Sequence, residues 1–260
     1  MRELERDDLP TPPSATKLVV VGRGRVGGSL AKAAELAGLI VRLANRDEGI
    51  GDAGAVLLCV PDDAISETCE RVIGSVPLVG HVSGASTLDV LATARDAGAS
   101  TFSLHPLQTF TDGETAVAGS PAAIAGSDDR ALSFARSLAD ALGMRPFEVP
   151  EESRAAYHAA AAMASNLLVA LEESAAELVE RVGIEDARDL LAPLVLRTAA
   201  NWAERGPAAL TGPIARGDHA TVERHRAALT ETAPELLPLY DALAARAEAV
   251  ARESASGTPS

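Results

Sequence analysis

The first 150 residues alternate between short apolar runs and longer segments with helical spacing. Five of the apolar runs are strand candidates, and most are continuous in Val, Leu and Ile, which is typical of strands buried on both faces of a parallel sheet. They cover residues 17–22, 39–44, 55–60, 78–82 and 100–104, with weaker candidates at 116–125 and 145–149. Helices are predicted between them at 28–37, 64–73, 87–97 and 129–142. This alternation predicts a doubly wound α/β sheet.

After residue 150 the pattern is helical throughout. Residues 151–182 contain no Gly or Pro and are apolar nearly all round at their centre, which predicts one long buried helix. Further helices are predicted at 186–205, 218–232 and 235–252. We therefore expect an α/β domain over 17–150 and an all-α carboxy-terminal domain over 151–253. The polar ends, 1–16 and 254–260, are expected to be flexible tails.

Composition excludes several classes of partner. The chain has 23 basic and 37 acidic residues, a net charge of −14, and only 3% aromatic residues. Nucleic acid and anionic membranes both favour basic surfaces, so neither is an expected partner. Two cysteines and five scattered histidines predict neither a disulfide framework nor a metal site. No apolar run has the length of a membrane span and no signal peptide is evident, so a cytoplasmic protein is expected.

The strongest motif is a glycine-rich turn between the first strand and the first helix. In Gly22-x-Gly24-x-x-Gly27 the first glycine allows a tight turn, the second allows close approach of a pyrophosphate, and the third allows helix and strand to pack closely. Arg25 and Val26 belong to the same turn. An ordinary glycine-rich turn is the alternative, but the order strand, motif, helix favours a dinucleotide site.

The end of the second strand indicates which dinucleotide is bound. An NAD site places an acidic residue there, whereas this chain has Asn45 and Arg46, and an arginine can pair with a 2′-phosphate. NADP(H) is therefore predicted, although Asp47 and Glu48 lie close enough to reverse this preference if the register differs. The third strand ends in Val60-Pro61, which could pack against the adenosine or the nicotinamide ribose or could simply end the strand.

Candidate catalytic residues follow strands four and five. The segments HVSGAS and SLHPLQTF place Ser83 and His105 at the same sheet edge as the glycine turn, where a histidine beside a hydroxyl could donate a proton during hydride transfer. A structural histidine before a proline is the alternative. On the long predicted helix, His158, Ser165 and Asn166 form a polar stripe, which faces either a ligand or a helix–helix network.

These motifs together resemble known proteins. GRGRVG, the NR pair and CVPDD resemble the Rossmann NADP-binding domain of the superfamily of 6-phosphogluconate dehydrogenase, ketopantoate reductase and pyrroline-5-carboxylate reductase. HVSG, SLHPLQTF, YHAAAAMASNLLVAL and LTGPIARGD resemble the narrower family of Rossmann-like proteins with a domain of unknown function 2520. The resemblance implies a Rossmann domain, a helical carboxy-terminal domain, NADP-dependent oxidoreductase activity, and a homodimer formed through the helices.

One departure affects the expected chemistry. The β-hydroxyacid dehydrogenases and ketopantoate reductase carry a lysine four residues before an asparagine on the long helix; here Asn166 is present and Ala162 takes the lysine position. We therefore expect an NADPH-dependent reductase of a small carbonyl compound, such as a 2-keto acid, with its proton donor among His105, His158 and Ser83. An imine reductase or a hydroxy-acid dehydrogenase is the alternative, and a non-catalytic NADP-binding sensor or assembly protein is the alternative of another class.

Overall fold

The computed structural model describes residues 16–72, 74 and 76–255. Most of the two predicted tails, at 1–16 and 254–260, therefore lies outside the described residues. Within the described part, Thr16 is buried and the last helix continues to Ala255, which corrects the tail predictions at these positions.

A seven-stranded sheet forms the first half of the chain, in the order β2-β1-β3-β4-β5-β6-β7. The strands are β1 (Leu18–Val21), β2 (Val41–Ala44), β3 (Ala55–Leu58), β4 (Leu78–His81), β5 (Ser100–Pro106), β6 (Pro121–Gly126) and β7 (Arg145–Glu148). The first five strands are parallel to one another. β6 is antiparallel to β5, and the segment 107–120 that joins them contains turns and bends but no crossover helix.

Helices cover both faces of the sheet: α1 (Arg25–Leu36) and α4 (Asp129–Ala141) on one, α2 (Ile65–Val72) and α3 (Ala92–Asp96) on the other. Alternate strand residues supply the two cores, since successive side chains point to opposite faces. The predicted helix 87–97 begins as a 3₁₀ turn. The prediction of burial on both faces holds for β1, β3 and β4 and is wrong for β2, an edge strand with mostly accessible side chains.

The second half is helical, as predicted, but its first helix is divided. The structure has α5 (Arg154–Ala164), α6 (Asn166–Arg181), α7 (Ala187–Arg205), α8 (His219–Thr232) and α9 (Leu237–Ala255). The single helix predicted over 151–182 is wrong because Ser165 leaves the helical conformation, at φ −128° and ψ −80°. Serine and asparagine side chains compete with the helical backbone for hydrogen bonds, so this pair is a weak point in an Ala- and Leu-rich run.

The chain forms two compact units, Met1–Ala164 and Ser165–Ser260. The first includes α5 because its opening turns are bonded to the sheet: Arg154 donates to Ser103 Oγ, and Tyr157 bonds His105. The boundary predicted from the sequence, between 150 and 151, thus lies ahead of α5, and the functional division into domains stays a prediction. In the part of the chain that the structure describes, no helix is long and apolar enough to cross a membrane.

Candidate active site

The first and third glycines of the motif are required by the fold. Gly22 follows β1 with φ +117°, and a Cβ added there would lie 2.2 Å from the Cys59 carbonyl oxygen. A Cβ added to Gly27, in the first turn of α1, would lie 1.9 Å from the Gly22 carbonyl oxygen. Any side chain at either position would push α1 away from β1 and β3.

The middle glycine is different, because nothing in the fold requires it. Gly24 is the N-cap of α1, at φ −70° and ψ −177°, and no described atom lies within 4 Å of an added Cβ. No side chain among the described residues caps this helix end. Its first-turn amides and positive dipole end therefore meet open space, the arrangement that binds a phosphate or pyrophosphate.

The end of β2 lies beside this turn, since the Gly22 amide donates to the Ala44 carbonyl. Two exposed residues follow, Asn45 and Arg46. The Asn45 side-chain amide donates to Glu48 Oε1 at 2.7 Å, and Arg23 Nη2 lies 3.4 Å from the same oxygen. Arg46 has no ion-pair partner among the described residues, so its guanidinium is available to an anionic ligand.

A cleft of about 220 Å³ opens at the carboxyl ends of the parallel strands. Its lining includes five residues predicted for the site and several that sequence reasoning did not select. The lining residues are Val26, Val60, Asp62, Val82, Ser83, Gly84, His105, Pro106, Gln108, Phe110 and His158. Pro61 is exposed and is not among them. Asp62 could have been selected from its place directly after the strand-ending Val-Pro pair; Gln108 and Phe110 carried no comparable signal.

Ser83 organises the loop that follows β4. Its hydroxyl lies 2.8 Å from Asp62 Oδ2 and 3.0 Å from Ser86 Oγ, and it accepts the backbone amides of Ala85 and Ser86. The Asp62 carboxylate is thereby bonded to a hydroxyl at the wall of the cleft. This pair brings a carboxyl group and a hydroxyl into a cleft whose other lining residues are apolar side chains, Gly84, two imidazoles and the Gln108 amide.

Two histidines approach each other across the cleft. The rings of His105, near the end of β5, and His158, on α5, have centroids 5.8 Å apart. Burial lowers the pKa of His105 to about 4, with further lowering from the neighbouring His158 and Arg154. His105 is therefore neutral at physiological pH, and it can donate or accept a hydrogen bond without carrying a charge.

Gly84 makes room for this pair. A Cβ added at Gly84 would lie 2.6 Å from His158 Cδ2 and 2.8 Å from His105 Nε2. The glycine of the HVSG segment therefore has a steric function, since its missing side chain lets both imidazoles reach the loop after β4.

Arg154 is a fully buried cation behind the cleft, and sequence reasoning missed it. It donates to Ser103 Oγ and to the Ser83 carbonyl, each at 2.9 Å, and pairs with Glu151 at 3.3 Å. Burial, followed by the charge of Arg154, lowers the pKa of His81 to about 3. His81 is accordingly a neutral core residue that accepts the Ser83 amide.

The polar stripe predicted along the long helix is not formed as expected. His158 lines the cleft, but the helical spacing that aligned it with Ser165 and Asn166 is interrupted at Ser165. Ser165 and Asn166 belong to the second compact unit, and their catalytic roles stay predictions. Among the residues that the structure describes, no group of three or more His, Cys, Asp or Glu side chains could hold a metal ion.

Comparison with solved structures supports the fold. A candidate NADP oxidoreductase of Bacteroides fragilis superposes with a TM-score of 0.74 at 22% identity, covering 90% of this chain and 98% of the other. A reductive aminase of Aspergillus terreus, in complex with NADPH and ethyl-5-oxohexanoate, gives 0.66 at 17% identity, with 93% and 94% covered. The 1-pyrroline-5-carboxylate reductase of Streptococcus pyogenes gives 0.60 at 15%, with 90% and 98% covered.

These likenesses establish a shared fold, a mostly parallel Rossmann-like sheet followed by helices. A search of curated proteins with the sequence gave no match. A family model does match: residues 120–247 fit the domain of unknown function DUF2520, as the motifs after β3 predicted. Residues 120–247 thus match the DUF2520 family, and the chain has the same fold as the solved pyrroline-5-carboxylate reductase.

Proposed function

We propose that this protein is an NADP(H)-dependent reductase of a small carbonyl or imine compound. The observation that carries the proposal is the position of the cleft. Val26 of the glycine turn and Val60 at the end of β3 line the same cleft as Ser83, His105 and His158. A dinucleotide bound at the turn would therefore end beside the polar groups that a reduction needs.

Each part of the cofactor has candidate partners. The open helix end at Gly24, with Arg25 beside it, would hold the pyrophosphate, and Arg46 would pair with the 2′-phosphate, next to Asn45. Val60 and Pro61 would pack against the nicotinamide ribose. The bound cofactor would supply the hydride. The protein would supply the hydrogen bonds that polarise the acceptor, from His105, His158 or Ser83.

The cleft lining favours an imine over a 2-keto acid as substrate. Asp62 brings a carboxylate to the cleft, and no Lys or Arg is among the described residues that line it. A carboxylate stabilises a protonated imine and repels the carboxylate of a keto acid. The solved reductive aminase of similar fold was captured with NADPH and a ketone ester. We therefore rank the reduction of an imine ahead of the reduction of a 2-keto acid, with hydroxy-acid oxidation as the reverse of the latter reaction.

A second copy of the chain is the proposed partner. Large apolar side chains of the second unit are exposed in the single chain, including Leu190, Leu194, Leu196 and Trp202 on α7. Monomeric proteins rarely leave such a surface open to water. A homodimer formed through these helices would cover it.

Activity with a panel of substrates tests the reductase proposal. Purified protein is mixed with NADPH and a series of 2-keto acids, ketones and cyclic imines, and oxidation of NADPH is followed by its absorbance. We expect turnover with at least one imine or ketone and its loss in His105→Gln. His225→Gln is the matched control, since His225 also bonds a tyrosine but lies in the second unit. Tight NADPH binding without turnover would favour a sensor instead, and absence of NADPH binding would contradict the proposal.

A further inference from the structure

Tyr157, on α5, touches the reacting end of the site through His105. The phenol oxygen lies 2.8 Å from His105 Nδ1, and the two rings meet edge to face with centroids 5.6 Å apart. Phe147, on β7, packs against the other side of the tyrosine ring at 5.9 Å. The phenol is therefore held in place by an apolar neighbour as well as by its hydrogen bond.

This contact uses one of the two ring nitrogens of His105 and leaves the other at the cleft. Nε2 is the nitrogen that approaches Gly84, and Gly84 lines the cleft. A neutral imidazole carries its proton on one nitrogen only, and a hydrogen bond at the other nitrogen decides which. If the phenol donates to Nδ1, the proton sits on Nε2 and faces the cleft.

The surroundings keep both partners neutral, so that the phenol is able to donate to the ring. Burial raises the pKa of Tyr157, so its hydroxyl keeps its proton. The charged and titratable groups that act on His105 are His158 and Arg154, both on α5, and Asp62 after β3. Burial and the two groups on α5 oppose a positive charge on the ring, and together they outweigh the opposite effect of Asp62.

We propose that Tyr157 is a positioning residue that holds His105 in its Nε2–H tautomer, so that Nε2 donates a hydrogen bond to the carbonyl oxygen of the substrate, or to an imine nitrogen before that nitrogen is protonated. The proposal rests on the reductase function proposed above. A neutral donor suits this task because it polarises the acceptor without adding a fixed cation to the cleft. Tyr157 itself does not line the cleft and acts only through His105.

The test compares Tyr157→Phe with Tyr240→Phe. Tyr240 lies 2.9 Å from His225 Nδ1 in the second unit, so the same atom is removed from the same kind of pair away from the cleft. The ring nitrogens are observed by ¹⁵N NMR of histidine-labelled, full-length protein, with His105→Gln to assign the signals. We expect the proton of His105 on Nε2 in the wild type and in Tyr240→Phe, and a mixture of tautomers in Tyr157→Phe.

The kinetic readout is a fall in kcat of about tenfold to 100-fold in Tyr157→Phe with KM nearly unchanged, since misplacing a histidine tautomer affects the transition state more than substrate binding. A wild-type proton on Nδ1, or an unchanged tautomer in Tyr157→Phe, would overturn the inference. If the tautomers behave as expected but no carbonyl or imine is reduced, the reductase proposal fails and the role of Tyr157 in fixing the tautomer stands.

Discussion

The two compact units differ in how they bury apolar surface. The first has large side chains in two cores, such as Leu30, Leu57 and Phe102, each almost inaccessible to solvent. Among the described residues of the second, the buried apolar side chains are Ala176, Ala187, Leu229, Ala233 and Ala244, of which only the leucine is larger than alanine. Trp202 of the second unit is 66% exposed.

This difference suggests separate roles for the two units, ligand binding in the first and assembly in the second. A buried core fixes side chains in place, as the proposed ligand sites of the first unit require. Helices whose apolar side chains face solvent cannot offset the entropy of folding unless another surface covers them. The second unit is therefore better suited to assembly, and the predictions below separate the two roles.

The largest effect is expected from Leu194→Asp on α7. Leu194 is 64% exposed in the single chain, so the change costs little within one copy but places an unpaired charge in the proposed dimer interface. We expect dimer affinity to fall by more than about 100-fold, since each leucine buried contributes roughly 1.5–3 kcal/mol and the buried charge adds to the loss. Analytical ultracentrifugation measures this.

Leu36→Asp is the matched control for that experiment. Leu36 is 79% exposed on α1 of the first unit, and the same change there should leave the dimer intact. NADPH affinity should stay within about twofold in the dissociated Leu194→Asp protein, since every residue proposed to hold the cofactor lies in the first unit. Equal dissociation in both variants, or a monomeric wild type, would contradict the assignment of assembly to the second unit.

A smaller effect, on cofactor binding alone, is expected from Gly24→Ala. Its backbone angles suit alanine and its surroundings are open, so the fold should keep its melting temperature within a few degrees. A methyl group at this position would obstruct a pyrophosphate, and we expect NADPH affinity, measured by fluorescence titration, to fall by about tenfold or more.

Two further glycine variants serve as controls for Gly24→Ala. Gly74→Ala, at another open glycine, should change neither affinity nor stability. Gly27→Ala should destabilise the protein itself, because its Cβ would collide with the Gly22 carbonyl. Wild-type NADPH affinity in Gly24→Ala would contradict the proposal that the pyrophosphate binds at this turn.

The smallest effect concerns the choice between NADPH and NADH. Arg46→Ala should lower the affinity for NADPH by about fivefold to tenfold and leave the affinity for NADH almost unchanged, as expected for one exposed charge–phosphate pair. Glu48→Gln should increase the affinity for NADPH by a few fold. The Glu48 carboxylate accepts a hydrogen bond from the Asn45 amide and lies near Arg23, so both side chains are engaged in the wild type. Parallel titrations with both dinucleotides measure the ratio, and equal losses for both would contradict the role of Arg46.

Much of the fold follows from local sequence patterns. The continuous runs of β1, β3 and β4 are long enough to indicate burial on both faces, and the order strand, glycine motif, helix places the turn. The same patterns could not show the antiparallel direction of β6, which depends on how 107–120 is folded. They could not show the break at Ser165 either, because one serine in a long helical run changes its periodicity very little.

The candidate site was predictable only in part, for a related reason. Ser83 and His105 could be placed because the ends of parallel strands meet at one edge. Arg154, Tyr157 and the contact between Arg23 and Glu48 depend on packing between distant segments, and their own sequence neighbourhoods are ordinary helix or turn. A buried arginine in particular resembles a surface arginine in sequence, since only its partners in space satisfy its charge.

The place of α5 in the first unit has a consequence for how such proteins can be recombined. Arg154, Tyr157 and His158 lie within two turns of one helix, beyond the last strand of the sheet. A chimera joined directly after β7 would exchange all three with its helical part, leaving Ser83 and Ser103 without their guanidinium and His105 without its phenol. A junction after Ala164 would carry the intact cleft lining into a new host, and is the natural point for grafting this half onto another helical half.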